Sequence, residues 1–509
     1  MSAKELEEEE EKKEKEEEDQ QMWLRPAGDK EEYFEVGHQL GFFQTNYNLS
    51  ICSTKPLDHT LFTKVLTHLF WKVPVLRVCL GRRQGQLWLK KMRGCILDLK
   101  VLNEGELEKE RERLMSHTFN TDEGPLWCMS VVVPEQPQES HHHYQPQESH
   151  HHYQPQESHH HYQPQESHHH YQPQESHHHY QLLFGTHHTI ADGFTNIRIC
   201  HMLHEILNDI LTGRTVDDKE QLGQHLDDHL AKQLYEEKNI KLLQDPELLS
   251  KCREKFLEAT ITHPHLLDLL PSPRDDCGRS HYVKQDLDEN LTKAFMNKCK
   301  CEGVSFHSGF TGVVNAAIIK ILEDAGKGQL QYNFVASHDL SMRRYYPRNL
   351  SQVLGTHLPL FGFLLPFKVS KDFVDTFWPH IKSFHQDLHH ELLTGGPMQA
   401  VALRLMQKSK SENYAEYFRT SGSPNYYYAI SNLGDVTSLM PGEGEVVKVK
   451  GLNRVSTVRA NATIMCFFIH TYKGICSISL VYSSRYMDHH IARKLLDQIN
   501  TTFTEVCSM

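Results

Sequence analysis

The chain has 509 residues, 39% of them hydrophobic and 24% charged, and a formal net charge of −12 at pH 7. Residues 4–19 carry −7 of that charge and leave −5 for the remainder. A body so nearly balanced is not a general nucleic-acid binder, which needs a basic surface to displace phosphate counterions. No stretch approaches the ~20 apolar residues that span a bilayer, so no transmembrane segment is expected. The acidic N-terminus has no apolar core behind it and does not read as a secretory signal. The 12 cysteines are scattered without a C-x-x-C pair. They read as reduced thiols in a cytoplasmic protein.

Residues 1–21 are expected to be a disordered acidic tail. Leu57, Leu61, Val65, Leu66 and Leu69 then form a helical stripe. Leu76–Leu80 and Gln86–Leu89 flank Gly-Arg-Arg-Gln-Gly as a hairpin. Leu126–Val133 reads as a strand, and Tyr180–Thr186 as another. Between them QPQESHHHY occurs five times, over residues 136–180, and holds 15 of the 38 histidines. Each copy offers only Tyr to a core, and its Pro opposes helix and central strand. The repeat is therefore expected to be an expanded loop whose last copy feeds the second strand. Its histidine triplets could retain Zn or Ni as a purification tag does, but no fixed ligand geometry is implied.

Phe194–Leu211 carries Ile197, Cys200, Leu203, Ile206, Leu207 and Ile210 at helical spacing. Residues 212–285 are polar and irregular, with short helical pieces and a Pro-Ser-Pro break at 271–273, and are expected to be an insertion plus a link. The halves are placed at 22–270 and 271–509. In the second, Leu291–Cys299 and Phe306–Leu322 read as helices, the latter with Phe310, Val313, Val314, Ala317, Ile318 and Ile321 inward. Gln331–Ser337 and His357–Pro366 read as strands, and Phe373–Leu393 as a long helix. Strands near 425–431, 462–470 and 475–482 precede a last helix, Ile491–Val506. Strands and helices mixed through both halves predict an α/β fold of α+β layers.

The chemically richest segment is His187-His188-Thr-Ile-Ala-Asp192-Gly193, between a buried-looking strand and an amphipathic helix. Such junctions open onto ligand crevices. Adjacent histidines on a strand cannot face the same side, so the two should have different jobs. One imidazole in a crevice can act as a general base near neutral pH, and a carboxylate beside it can fix a tautomer or hold an arginine. As spacing alone the set also fits structural histidines. No third ligand is nearby, so no metal is expected.

HHxxxDG in this context resembles the motif of the condensation-domain and CoA-dependent acyltransferase superfamily, most closely its alcohol acetyltransferases and dimycocerosyl-type transferases. Other landmarks follow in family order: Met22–Pro26, Val75-Leu76-Arg77, Val304–Ser308, Asp339–Tyr346, Gly355–Leu360 and Ser431-Asn432-Leu433-Gly434. The D-F-G-W-G motif of the plant branch is absent from the sequence, and Thr356 and His357 stand where the family often has Asn.

The resemblance implies two chloramphenicol-acetyltransferase-like subdomains, 22–270 and 271–509, forming a V with a central substrate channel. It implies an acyl-CoA co-substrate, no bound cofactor, and an alcohol or amine acceptor. His188 would be the base that takes the acceptor's proton as it attacks the thioester. Asp192 would pair with an arginine, Arg343 or alternatively Arg344, and Gly193 would permit the turn. His187 would pack behind the site, with Ser431 and Asn432 in support. The expected protein is a monomeric acyltransferase; the alternative is a non-catalytic relative used for binding or scaffolding.

Overall fold

The computed structural model describes residues 20–133, 177–221, 229–260, 264–270, 278–347, 352–407, 413–420, 424, 426–459 and 463–509. The expected acidic tail up to Asp19, and the repeat up to residue 176, lie outside them.

In chain order the first half runs β1 (Trp23–Pro26), α1 (Asp29–Gln39), β2 (Gln44–Ser53), α2 (His59–Lys72), β3 (Val78–Arg83), β4 (Gln86–Lys91), β5 (Leu99–Asn103), α3 (Leu107–Leu114), β6 (Trp127–Val133), β7 (His178–His187) and α4 (Gly193–Thr212). Two helices follow, α5 (His229–Gln244) and α6 (Pro246–Thr260). The second half runs β8 (Ser280–Leu287), α7 (Glu289–Cys301), α8 (Phe306–Asp324), β9 (Gln331–His338), β10 (Phe363–Ser370), α9 (Phe377–Thr394), α10 (Gly396–Gln407), α11 (Tyr414–Thr420), β11 (Tyr428–Asp435), β12 (Val447–Ser456), β13 (Met465–Tyr472), β14 (Ile475–Ser483) and α12 (His489–Ser508).

Three sheets form: β12-β2-β7-β6-β5, β10-β9-β11-β13-β14-β8, and a small β1-β4-β3. Each large sheet has its own core. The first core gathers Phe62, Val65, Leu66 and Leu69 of α2 with Ile197, Leu203 and Leu207 of α4. The second is built around α8, from Phe310 through Leu322, together with Leu496 and Phe503 of α12. These are the two α/β layers that the sequence predicted. The halves also exchange chain. β12 lies beyond residue 271, yet it pairs antiparallel with β2, from Val447↔Ser53 to Ser456↔Thr45. Val447, Val449 and Leu452 thereby enter the core of the first half.

β6 and β7 pair antiparallel, Trp127↔Thr186 to Val132↔Gln181. β7 begins at His178, inside the last repeat copy. Tyr180 of that copy is buried, and its hydroxyl accepts from the Leu57 amide at 2.9 Å. Tyr is the one apolar position of the nonapeptide, and this copy places it in the core.

Several expectations are corrected. The strand expected over His357–Pro366 starts only at Phe363. The preceding residues instead dive inward, where the His357 amide donates to Asp192 and the Met342 amide to the His357 carbonyl. The helix expected from Phe373 starts at Phe377, after a tight turn over Lys371–Phe373. The helical pieces expected as short within 212–285 are the longer α5 and α6, and the same stretch holds most of β8. No single helix among the described residues is long and apolar enough to cross a membrane.

Candidate functional site

β7 ends at His187, the chain turns through His188–Ile190, and α4 starts at Gly193. Asp192 caps α4, its Oδ1 accepting from the Thr195 amide at 2.9 Å. Such a cap satisfies one of the orphan donors of the first turn. Its Oδ2 accepts from Arg343 Nη1 at 2.5 Å and from the His357 amide at 3.0 Å. Burial alone would raise the Asp192 pKa, but the Arg343 charge, His357 and the hydrogen bonds from Arg343 and the Thr195 amide together outweigh it and hold the carboxyl well below the usual range. Arg343 is satisfied on all sides, by Asp192, the Val353 and Gly355 carbonyls and the Thr195 hydroxyl. It also lies over the Phe194 ring at 4.5 Å. Neither side chain has spare capacity for a ligand. Arg343, not Arg344, is the arginine that the structure brings to Asp192.

The two histidines diverge as strand alternation requires. His187 is fully buried and its Nδ1 accepts from the Thr189 amide at 3.1 Å, so its proton sits on Nε2, 3.1 Å from Glu35 Oε2. Behind it His38 approaches to 4.2 Å between ring centroids and accepts from the Phe119 amide at 3.0 Å. Burial, then the neighbouring His187, lowers the His38 pKa to about 2.

His188 turns the other way and lines a cavity of about 630 Å³. Its ring stacks on Phe34 at 4.4 Å and 18°. Its carbonyl accepts from the Thr356 hydroxyl at 2.6 Å, which ties the turn to the second half. Nδ1 is buried without a well-formed hydrogen bond, which leaves Nε2 as the nitrogen open to the cavity. Burial lowers its pKa to about 4, against the opposing pull of Asp192 and of the His188 and Ala191 carbonyls. The imidazole is therefore neutral at pH 7, with a lone pair to accept a proton.

Gly193 also lines the cavity, with Ser431, Asn432 and Leu433 opposite. A Cβ on Gly193 would stand 2.7 Å from Leu433 Cδ2, so glycine is what lets this wall close. Ser431 accepts from Arg454 through its hydroxyl at 3.2 Å and its carbonyl at 2.5 Å. Asn432 Oδ1 accepts from the Gly434 amide at 2.8 Å, which shapes the loop and leaves its amide nitrogen free for a ligand.

A second cleft of about 1530 Å³ opens elsewhere between the halves. A hollow of only about 20 Å³ lies between, walled by Tyr47 and Val455 towards the His188 cavity and by Asn48 and Asn453 towards the cleft.

Sequence reasoning missed Phe34, Glu35 and His38, all on α1. That helix reads as a charged segment, and the only signal was a Tyr-Phe pair with His four residues after Phe34. Among the described residues Asp98, His117 and Cys128 lie close enough to share an ion. However, Arg113 occupies His117 Nδ1 at 2.9 Å, and burial pushes the Cys128 thiol up to about 12, which opposes ligation.

No family model matches the chain, and no curated protein sequence matches it. Solved structures do: the chain has the fold of the condensation-domain and acyltransferase superfamily, as the HHxxxDG segment led one to expect. It is similar to TRI3 trichothecene 15-O-acetyltransferase from Fusarium sporotrichioides, with a TM-score of 0.64 and 11% identity over 95% of each chain. It is equally similar, at a TM-score of 0.64 and 12% identity, to the first condensation domain of the calcium-dependent antibiotic synthetase, covering 95% of this chain and 97% of that one. The epimerization domain of tyrocidine synthetase B aligns at a TM-score of 0.60 and 12% identity over 93% of each chain.

Proposed function

We propose that this protein is an acyltransferase that moves an acyl group from acyl-CoA to a hydroxyl or amine acceptor, with His188 as the general base. The observation that carries the reading is the neutral His188 imidazole, with Nε2 open to the cavity and its ring held by Phe34. The acceptor would sit within hydrogen-bond reach of Nε2 and attack the thioester carbonyl directly. His188 would take the acceptor's proton and return it to the departing thiolate. A base of this kind contributes ~10²–10⁴-fold, and co-localising the substrates contributes more. The fold it shares with an O-acetyltransferase supports the reaction class. Asp192 and Arg343 would hold the turn that carries His188 without touching substrate. No bound cofactor or metal enters the scheme.

The test is to incubate the pure protein with a panel of acyl-CoAs and alcohols or amines and follow free thiol. Acceptor-dependent thiol release that His188→Ala abolishes supports the proposal. Release that is indifferent to His188 removes it as the base, and no release across the panel counts against the activity.

A further inference from the structure

Arg404 of α10 lies at the neck between the His188 cavity and a second cavity of about 490 Å³. The second cavity is walled by α6, β10, α9 and α10, and the two share Phe256, Gly362, Leu364 and Arg404. The guanidinium packs against two rings, 5.3 Å from Phe256 and 5.0 Å from Phe361. Among the described residues it takes part in no hydrogen bond or ion pair. The other arginines lining the His188 cavity differ: Arg454 is spent on the Ser431 and Ile469 carbonyls, and Arg459 donates to the Tyr417 carbonyl. A guanidinium carries five donors and no acceptor. Withdrawing it from water without an anion is costly, and ring stacking offsets little of that cost. Burial does weaken its hold on its proton, while the Tyr417, Tyr33 and Tyr426 hydroxyls act in the opposite sense. Tyr33 packs its ring against Phe361 and Tyr417, lines the same cavity, and makes no hydrogen bond through its hydroxyl.

We infer that Arg404, with the Tyr33 hydroxyl, is the binding site for a substrate carboxylate, so that the acceptor is a hydroxy- or amino-carboxylic acid. Two rings pack against the π-surface of the guanidinium, which presents its N–H edge, and a planar two-oxygen anion matches that edge. The carboxylate would sit at the neck, its nucleophile directed to His188 and any further apolar body to the second cavity. Which substrate bears the carboxylate rests on the acyltransferase reading; that an organic carboxylate binds does not.

The experiment is calorimetric titration of the full chain with ω-hydroxyalkanoates and 4-hydroxycinnamate, each beside its methyl ester, with inorganic phosphate as a separate arm. The acids should bind about tenfold or more tighter than the esters, in line with a charge-assisted bidentate contact. That preference should persist in His188→Ala and vanish in Arg404→Gln at unchanged Tm. If Arg404→Gln does not fold, Arg404→Lys should keep the charge and lose most of the preference, because the fork is gone. Equal binding of acid and ester, no binding of any acid, a preference untouched in the Arg404 variants, or Arg404-dependent binding of phosphate alone overturns the inference. A protein that releases no thiol yet keeps the acid-over-ester preference sinks the catalytic reading and leaves this one standing.

Discussion

Asp192 and Arg343 meet at 2.5 Å across the two halves of the chain, both almost wholly buried, with every polar atom of the contact occupied. Asp192 caps the helix that begins the site, and Arg343 belongs to a tight turn, Met342–Tyr345, of the other half. The pair is thus a clamp behind His188. Asp192→Asn or Arg343→Gln strands a buried charge, and breaking such a pair costs ~3–5 kcal/mol. The double variant should lose much less than the sum of the singles in denaturant melts, and strict additivity would falsify the clamp. Because the Asp192 pKa is depressed, its contribution is present above the unfolded value of ~3.9 and is lost only as pH falls below it.

The buried histidines titrate in a different window. Burial lowers His188, His307 and His201 to about 4, His357 and His470 to about 3, and His38 to about 2. Below pH ~6.5 the unfolded chain takes up protons that the folded chain refuses, so stability should fall steadily from there towards pH 4. Above ~6.5 it should be flat. Chemical denaturation at half-unit pH steps measures this, and a stability maximum on the acid side would refute it. The rate of an active preparation should likewise show no inflection near 6.5, because His188 is already neutral there.

How much of this was legible in the sequence depended on the kind of signal. Asp192, Gly193 and both histidines are contiguous, and strand alternation alone separates the histidines, which the structure turns to opposite sides. Arg343 needed the family order of landmarks, since nothing local links it to a residue 151 positions away. Glu35 and His38 were hidden because α1 presents no apolar stripe, only partners for buried polar groups. β12 was hidden because Val-Lys-Val-Lys is interrupted by Gly451, where the register with β2 shifts. β2 was hidden by its Asn and Ser positions, which alternate with the core-facing Tyr47, Leu49 and Ile51. Arg404 has no sequence signal, because only the absence of a partner distinguishes it.

His187 and His188 should separate experimentally. His187→Ala leaves Glu35 without its buried donor and opens a void beside His38, so it should lower Tm. Loss of one partner from a buried hydrogen bond costs ~1–3 kcal/mol. His188→Ala should leave Tm nearly unchanged, since among the described residues its ring makes one stack and no well-formed hydrogen bond, and should remove turnover. The reverse pattern in paired Tm and thiol-release measurements would mean the two roles are exchanged.

Gly193→Ala drives a methyl into Leu433, and overpacking of this kind costs ~1–3 kcal/mol. Leu433 is a side chain on the cavity wall, so part of the strain should be relieved by its moving into the cavity. The variant should therefore bind substrate less well, and Gly193→Ala with Leu433→Ala should regain both stability and binding. No recovery in the double variant would place the need for glycine in the backbone instead.

Cutting the five repeats to the last copy should leave Tm and activity nearly unchanged. One copy has to stay, because His178, His179 and Tyr180 are in β7 and the Tyr180 hydroxyl holds the Leu57 amide. The earlier copies offer nothing but Tyr to a core and carry a Pro every nine residues. If they form a loop, closing one fivefold shorter gains only about 1.4 kcal/mol, a small stabilisation. Twelve of the fifteen repeat histidines leave with them, so retention on Zn or Ni resin should drop sharply. A large loss of Tm or of turnover in this variant would show that the repeat is built into the folded wall of the site.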